Sequence, residues 1–138
     1  MAPVSGKPVT YYCADTDDAW TQYVQSLGSR VYELGYVPAI GGSEVYLSSY
    51  VCDPLKAKLA GTSLSVMNML PSMFVLTHET EHTKGVRDER LADCAAIRDI
   101  PKTARAFGFT TTKKIKQIVA LARAYHAASP RPYNGACT

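Results

Sequence analysis

At Thr62 the hydrophobic pattern changes period, and that change restricts the chain to a mixed fold with most of its helix in the second half. Upstream, short β-branched and aromatic runs are broken every few residues by glycine or proline. Residues 9–13, 31–34 and 44–47 read as short strands, with Gly35, Pro38 and Gly41-Gly42 as separators. Two helices are expected among them. One starts at an Asp15 or Thr16 cap, carries Trp20, Tyr23, Val24 and Leu27, and ends at Gly28. The other starts at Ser48 or Ser49, carries Val51, Leu55 and Leu59 with Pro54 in its first turn, and stops at Gly61.

Downstream, apolar residues recur at three and four. Leu64, Met67, Met69, Leu70, Met73, Phe74 and Leu76 mark a helix started or kinked by Pro71, running to Lys84 and stopped by Gly85. Asp88 can cap a second helix through Leu91, Ala92, Ala95 and Ala96, past Pro101 to Phe107, with Gly108 as its end. A last helix runs from about Thr112 to Ala127, with Ile115, Ile118, Val119, Ala122 and Tyr125 on one face. Residues 1–138 therefore read as one α+β domain: short N-terminal strands beside a helical majority.

At 138 residues and 46% hydrophobic, the chain suits one compact domain with a real core. No apolar run reaches the roughly 20 residues a membrane-spanning helix needs, so no transmembrane segment is expected. Charge is unevenly spread. Six acids face two bases up to residue 55, and eight bases face Asp99 alone from residue 98 onward. This basic end holds no base-reading motif and no aromatics interleaved with basic residues, so nucleic acid is not an expected partner. A solvated helix face is the simpler reading.

Four cysteines, Cys13, Cys52, Cys94 and Cys137, contain no C-x-x-C pair, so two disulfides are possible. A Cys13–Cys137 bridge would close almost the whole chain and constrain the unfolded state most. The first residues lack the charged and apolar regions of a secretory leader. Either the thiols stay free inside a cell or this is a mature segment given a start Met. The cysteine count favours the second, extracytoplasmic alternative.

The informative stretch is His78-Glu79-Thr80-Glu81-His82, which fits H-E-x-x-H on a segment already read as helix. With this composition the pattern arises by chance in roughly one sequence in 400. Spacing of i and i+4 puts both imidazoles on one helix face, about 6 Å apart at Cβ, within reach of one Zn²⁺. Glu79 projects about 100° round the helix. It would miss the metal but could reach a water beside it, where a general base for hydrolysis must sit.

A catalytic zinc centre needs a third protein ligand and an open position. Asp88, Glu89 and Asp93 are the nearby candidates. Gly85 and Asp88 turn the chain back, so the first turn of the next helix, with Glu89, should lie beside His82. Asp93 lies one turn further on the same face. The expected assignment is His78, His82 and Glu89 on the metal, with Asp93 hydrogen-bonding a ligating histidine and fixing its tautomer.

His78-Glu79-x-x-His82 followed by Glu89-Arg90-Leu91-Ala92-Asp93 resembles the gluzincin pattern, H-E-x-x-H with a downstream E-x-x-A-D whose Glu is the third zinc ligand. Six residues intervene here, fewer than gluzincins usually have. A second alignment is available: His82-Thr83-Lys84-Gly85-Val86-Arg87-Asp88 resembles the metzincin extension H-x-x-G-x-x-H/D, in the Asp form of small secreted streptomycete proteases, though no Met-turn follows. More widely, Tyr46-Leu47, residues 51–55, the His-Glu-His segment through Ala95, Pro132-Tyr133 and Cys137 resemble small actinobacterial or phage proteins of zincin type. That resemblance spans about two-thirds of the chain and implies a metallopeptidase-like domain, often exported; with the turn at Gly85 and Asp88, the fold expected is a mostly helical zincin-like domain whose H-E-x-x-H helix packs on a following antiparallel helix.

Other residues read more plainly. Cys94 is expected as half of a disulfide or a buried small residue, and His126 as a surface or cap residue rather than a ligand. Tyr125 and Tyr133 are expected to pack, although either could donate to an oxyanion. Met67, Met69 and Met73 read as core filler. The functional expectation is a monomeric zinc-dependent metallopeptidase acting on a peptide or protein, with Glu79 as general base. The alternatives are a non-catalytic, zinc-stabilised binding domain closed by a fourth ligand such as Cys94, or a metal-free helical interaction module.

Overall fold

The computed structural model describes residues 7–26, 34–130 and 133–137. Along the chain run β1 (Thr10–Cys13), α1 (Asp17–Ser26), β2 (Gly35–Tyr36), β3 (Glu44–Leu47), α2 (Ser49–Leu59), α3 (Val66–Thr83), α4 (Glu89–Ala106) and α5 (Thr112–Ala128). The architecture is α+β and mostly helical. Helix starts follow the capping chemistry of the sequence: the side chains of Thr16, Ser48, Ser65, Asp88 and Thr111 each accept a backbone N–H three residues on. None of the described helices is long and apolar enough to cross a membrane.

The sheet has the order β1-β3-β2, with β1 parallel and β2 antiparallel to the central β3. Alternation sends Val45 and Leu47 inward, both fully buried, while Tyr12 and Tyr46 pair across the opposite face with ring centroids 4.8 Å apart. Tyr23 of α1 lies on that aromatic face, 5.0 Å from the Tyr46 ring. Residues 27, 28 and 31–33, where a helix end and most of a strand are expected, lie outside the described residues. β2 instead occupies Gly35–Tyr36, where a separator is expected. Pairing to β3 recruits that glycine because a bare Cα is what fits against α3, as described below.

α3 is the central element, packed by the sheet and by α2, α4 and α5. From Ser72 to Thr83 every residue is buried, polar ones included. Enclosure by the sheet and three helices explains why no amphipathic stripe is needed. The polar groups have partners. Thr77, Thr80 and Thr83 bond back to the carbonyls of Met73, Leu76 and Thr80, and Thr77 also meets Thr103 of α4 at 2.7 Å. The buried Glu81 carboxylate faces Lys84 at 3.0 Å, and Lys84 reaches Asp99 of α4 at 3.1 Å. Tyr11 of β1 meets Thr80 at 2.8 Å and ties the sheet to the same helix.

Two expectations about α3 need correction. Of the two roles expected for Pro71, starting the helix is overturned: it lies inside α3, where, having no N–H, it offers no donor to the carbonyl one turn back, at the exposed Met67. Met67 itself is on the surface, 61% exposed, while Met69 and Met73 do fill the core.

The disulfides are Cys13–Cys52 and Cys94–Cys137, not an end-to-end bridge. Parallel pairing brings the end of β1 beside the β3–α2 junction, which fixes the first. The return of the chain after α5 to the first half of α4 fixes the second. Both are compatible with an oxidising, extracytoplasmic setting.

Candidate metal centre

The site sits where α3 hands over to α4. Gly85, at φ 100°, makes the reversal that a side chain would strain, and the Asp88 carboxylate caps α4. α4 then returns along α3, so that Glu89 lies beside both histidines and Asp93 beside His78. Asp88, the alternative ligand of the second alignment, is used as the cap. The structure thus brings His78, His82 and Glu89 together at one point, with Asp93 behind His78.

Hydrogen bonds to the outer ring nitrogens decide what the inner ones can do. His78 Nδ1 donates to Asp93 Oδ1 at 2.6 Å, and His82 Nδ1 donates to the Val86 carbonyl at 2.6 Å. With those protons placed, each Nε2 of a neutral ring carries a lone pair. The two Nε2 atoms are nevertheless 3.1 Å apart, and Glu89 puts Oε2 2.9 Å from one and Oε1 3.3 Å from the other. Three acceptors facing each other in a buried site repel unless a cation lies between them. For N and O ligands at about 2.0–2.1 Å, a tetrahedral centre spaces its ligands by about 3.3 Å. The donor set and its spacing therefore fit a metal ion.

Without metal, a proton takes that place. Burial alone would lower the His78 pKa, but hydrogen bonds to Asp93 and Glu89 and the charge of Glu79 outweigh it and raise the value to about 10. His82 is raised too, against the same burial, by Glu89 and Glu79. Glu89 shows the reciprocal effect: burial would raise it, but the two imidazoles hold it down at about 2.

Glu79 is buried on the neighbouring helix face, close enough for its charge to act on both imidazoles. Gly35 of β2 passes directly against its side chain. Tyr133, from the tail after α5, places its ring 5.7 Å from that of His78. Tyr125 packs on Phe74 in the core, as expected. Cys94 is bonded to Cys137, so its sulfur is not available to close the centre as a fourth ligand.

His126 departs most from expectation. It is only 5% exposed, and its Nδ1 donates to Asp93 Oδ2 at 2.8 Å. Asp93 therefore bridges two histidines. A basic, amphipathic last helix favours a surface reading for a late histidine. The i,i+4 step from Ala122, on the buried face of α5, is the signal in the sequence that points it inward.

Comparison of the chain with protein-family models, with curated proteins and with solved structures finds no match. Its chemistry is therefore read from its own geometry.

Proposed function

We propose that this protein is a zinc-dependent hydrolase of the H-E-x-x-H type, cleaving peptide bonds. The observation that carries this reading is the convergence of His78 Nε2, His82 Nε2 and a Glu89 carboxylate oxygen, all acceptors, on one buried point. Mixed imidazole and carboxylate donors in a three-residue set suit a catalytic zinc centre with an open position. Bound there, zinc would supply Lewis acidity, polarising a carbonyl and making water more acidic.

The remaining work falls to the protein. Glu79 removes the proton of the attacking water and passes it to the leaving amine; its place next to, but outside, the ligand set is what a base needs. Asp93 and the Val86 carbonyl hold the two rings in the tautomer that turns Nε2 inward. Burial of the cluster strengthens each of these interactions relative to water.

Metal analysis of the purified chain, together with peptide cleavage by Glu79→Gln, tests the reading. One zinc per chain and cleavage that disappears in the variant, with zinc retained, are expected. Cleavage unchanged in Glu79→Gln would remove Glu79 from the mechanism, and bound zinc with no cleavage by the parent chain would favour the non-catalytic, zinc-stabilised domain. No bound metal would end the hydrolase reading.

A further inference from the structure

We propose that His126 is a positioning residue for the metal centre, acting on His78 through Asp93, and that the disulfide-anchored tail holds His126 in place. This rests on the metal-centre reading above. A carboxylate bonded at one oxygen can rotate about its last bond, whereas one bonded at both is fixed. Asp93 accepts from His78 Nδ1 at Oδ1 and from His126 Nδ1 at Oδ2, at 2.6 and 2.8 Å, with the whole group buried. Removing His126 leaves Oδ2 buried without that donor, and the carboxylate is freed to turn away from His78. The ring of His78 then loses what orients Nε2.

His126 is itself gripped from the far side. Its Nε2 lies 2.6 Å from the Gly135 carbonyl. Gly135 has φ 138°, and a methyl group on its Cα would meet the Arg90 Cδ at 2.5 Å, so the tail there is shaped to lie close on α4. Arg90 Nη1 donates to the Ala136 carbonyl at 2.7 Å, and Cys137 is bonded to Cys94, the residue after Asp93. The Asp93 carboxylate of α4 thus meets α3 by His78 and α5 by His126, and the tail reaches it only through His126, by Gly135. An unbroken run of short contacts connects the tail to the metal ligands.

The experiment measures zinc affinity by competition with a chromophoric chelator in the oxidised full chain and in His126→Asn, His126→Gln and His126→Ala. The amide nitrogen of Asn falls where Nδ1 was and can still donate to Asp93; that of Gln falls nearer Nε2 and cannot. Positioning predicts affinity within a few-fold of the parent for Asn, and a loss of about 10–100-fold for Gln and Ala. Cobalt substituted for zinc should show an altered visible spectrum in the Gln and Ala variants and a parent-like one in Asn. Cys94→Ser with Cys137→Ser, which frees the tail, should weaken zinc binding by about tenfold. Thermal melts of the metal-free variants identify any that fail to fold, and the comparison then rests on the others with the spectrum.

A packing role would instead rank the variants by volume, with Gln above Asn. That order, or affinities within twofold across the series, overturns the inference while leaving the metal centre standing. A parent chain that binds no zinc overturns both.

Discussion

Gly35 stands so close to Glu79 that a methyl group on its Cα would lie 2.5 Å from the Glu79 Cγ and 2.8 Å from Oε1. The approach follows from register: Gly35 pairs with Leu47 on the face of the sheet that meets α3. Gly35→Ala should therefore push the carboxylate aside without meeting His78, His82 or Glu89. Displacing a catalytic group by about 1 Å can slow a reaction by about two orders of magnitude. Turnover should accordingly drop by about tenfold or more while zinc stoichiometry stays unchanged. Undiminished turnover would show that the position of Glu79 is not what sets the rate.

A metal ion held by His78, His82 and Glu89 would compete with protons for the same cluster. His78 is raised from 6.5 to about 10, so its contribution to the stability of the metal-free chain is complete below pH 6.5 and lost as pH rises through 10. Glu89 is lowered from 4.5 to about 2, so its contribution is complete above pH 4.5 and lost as pH falls toward 2. The cluster stabilises the metal-free fold most between pH 4.5 and 6.5. On the proposed reading zinc would have to displace the proton, so its binding should strengthen with pH. The rise in Tm on adding zinc should be larger at about pH 8 than at about pH 5.5. Equal shifts at the two values would contradict this account.

Lys84 neutralises two acids at once, Glu81 on its own helix and Asp99 on α4. Burial and the neighbouring Asp99 raise the Glu81 pKa, while Lys84 opposes them. Lys84→Met should cost about 3 kcal/mol in urea unfolding, because it leaves the Glu81 carboxyl buried beside Asp99. Adding Glu81→Gln should recover part of the loss. Additive costs in the double variant would show that the pair is not coupled.

The Cys13–Cys52 bridge joins residues 39 apart at the β1–α2 corner, and neither cysteine belongs to the His78, His82 and Glu89 group. Replacing both with serine should lower stability by about 4 kcal/mol on the chain-entropy account, with zinc affinity retained in whatever remains folded. Calorimetry and metal titration on the same sample check both halves. A loss of affinity comparable to that from freeing the tail would mean the two bridges act alike.

Helix boundaries at Ser48, Gly61, Lys84, Asp88, Gly108 and Thr111–Thr112 are legible locally because caps and stops depend on the few residues around them, whereas the start of α3 at Ser65 is masked by Pro71, which reads as a start itself. The juxtaposition of His78, His82 and Glu89 is legible too, since all three lie in one helix–turn–helix segment of 12 residues. Gly35 reads as a separator because its strand exists only by pairing with β3. The disulfide partners depend on where whole elements pack, and cysteine spacing does not encode that.

The chain's own order of residues determined the helices, the donor types and the one-turn spacing of the two imidazoles, all short-range consequences of backbone geometry. Tertiary structure alone decided that Asp93 would be shared between His78 and His126, that Gly35 would press on Glu79, and that the tail would return to α4. These contacts join residues 15 to 44 positions apart. Their formation depends on which faces the core buries, a balance struck over the entire chain rather than in any local window.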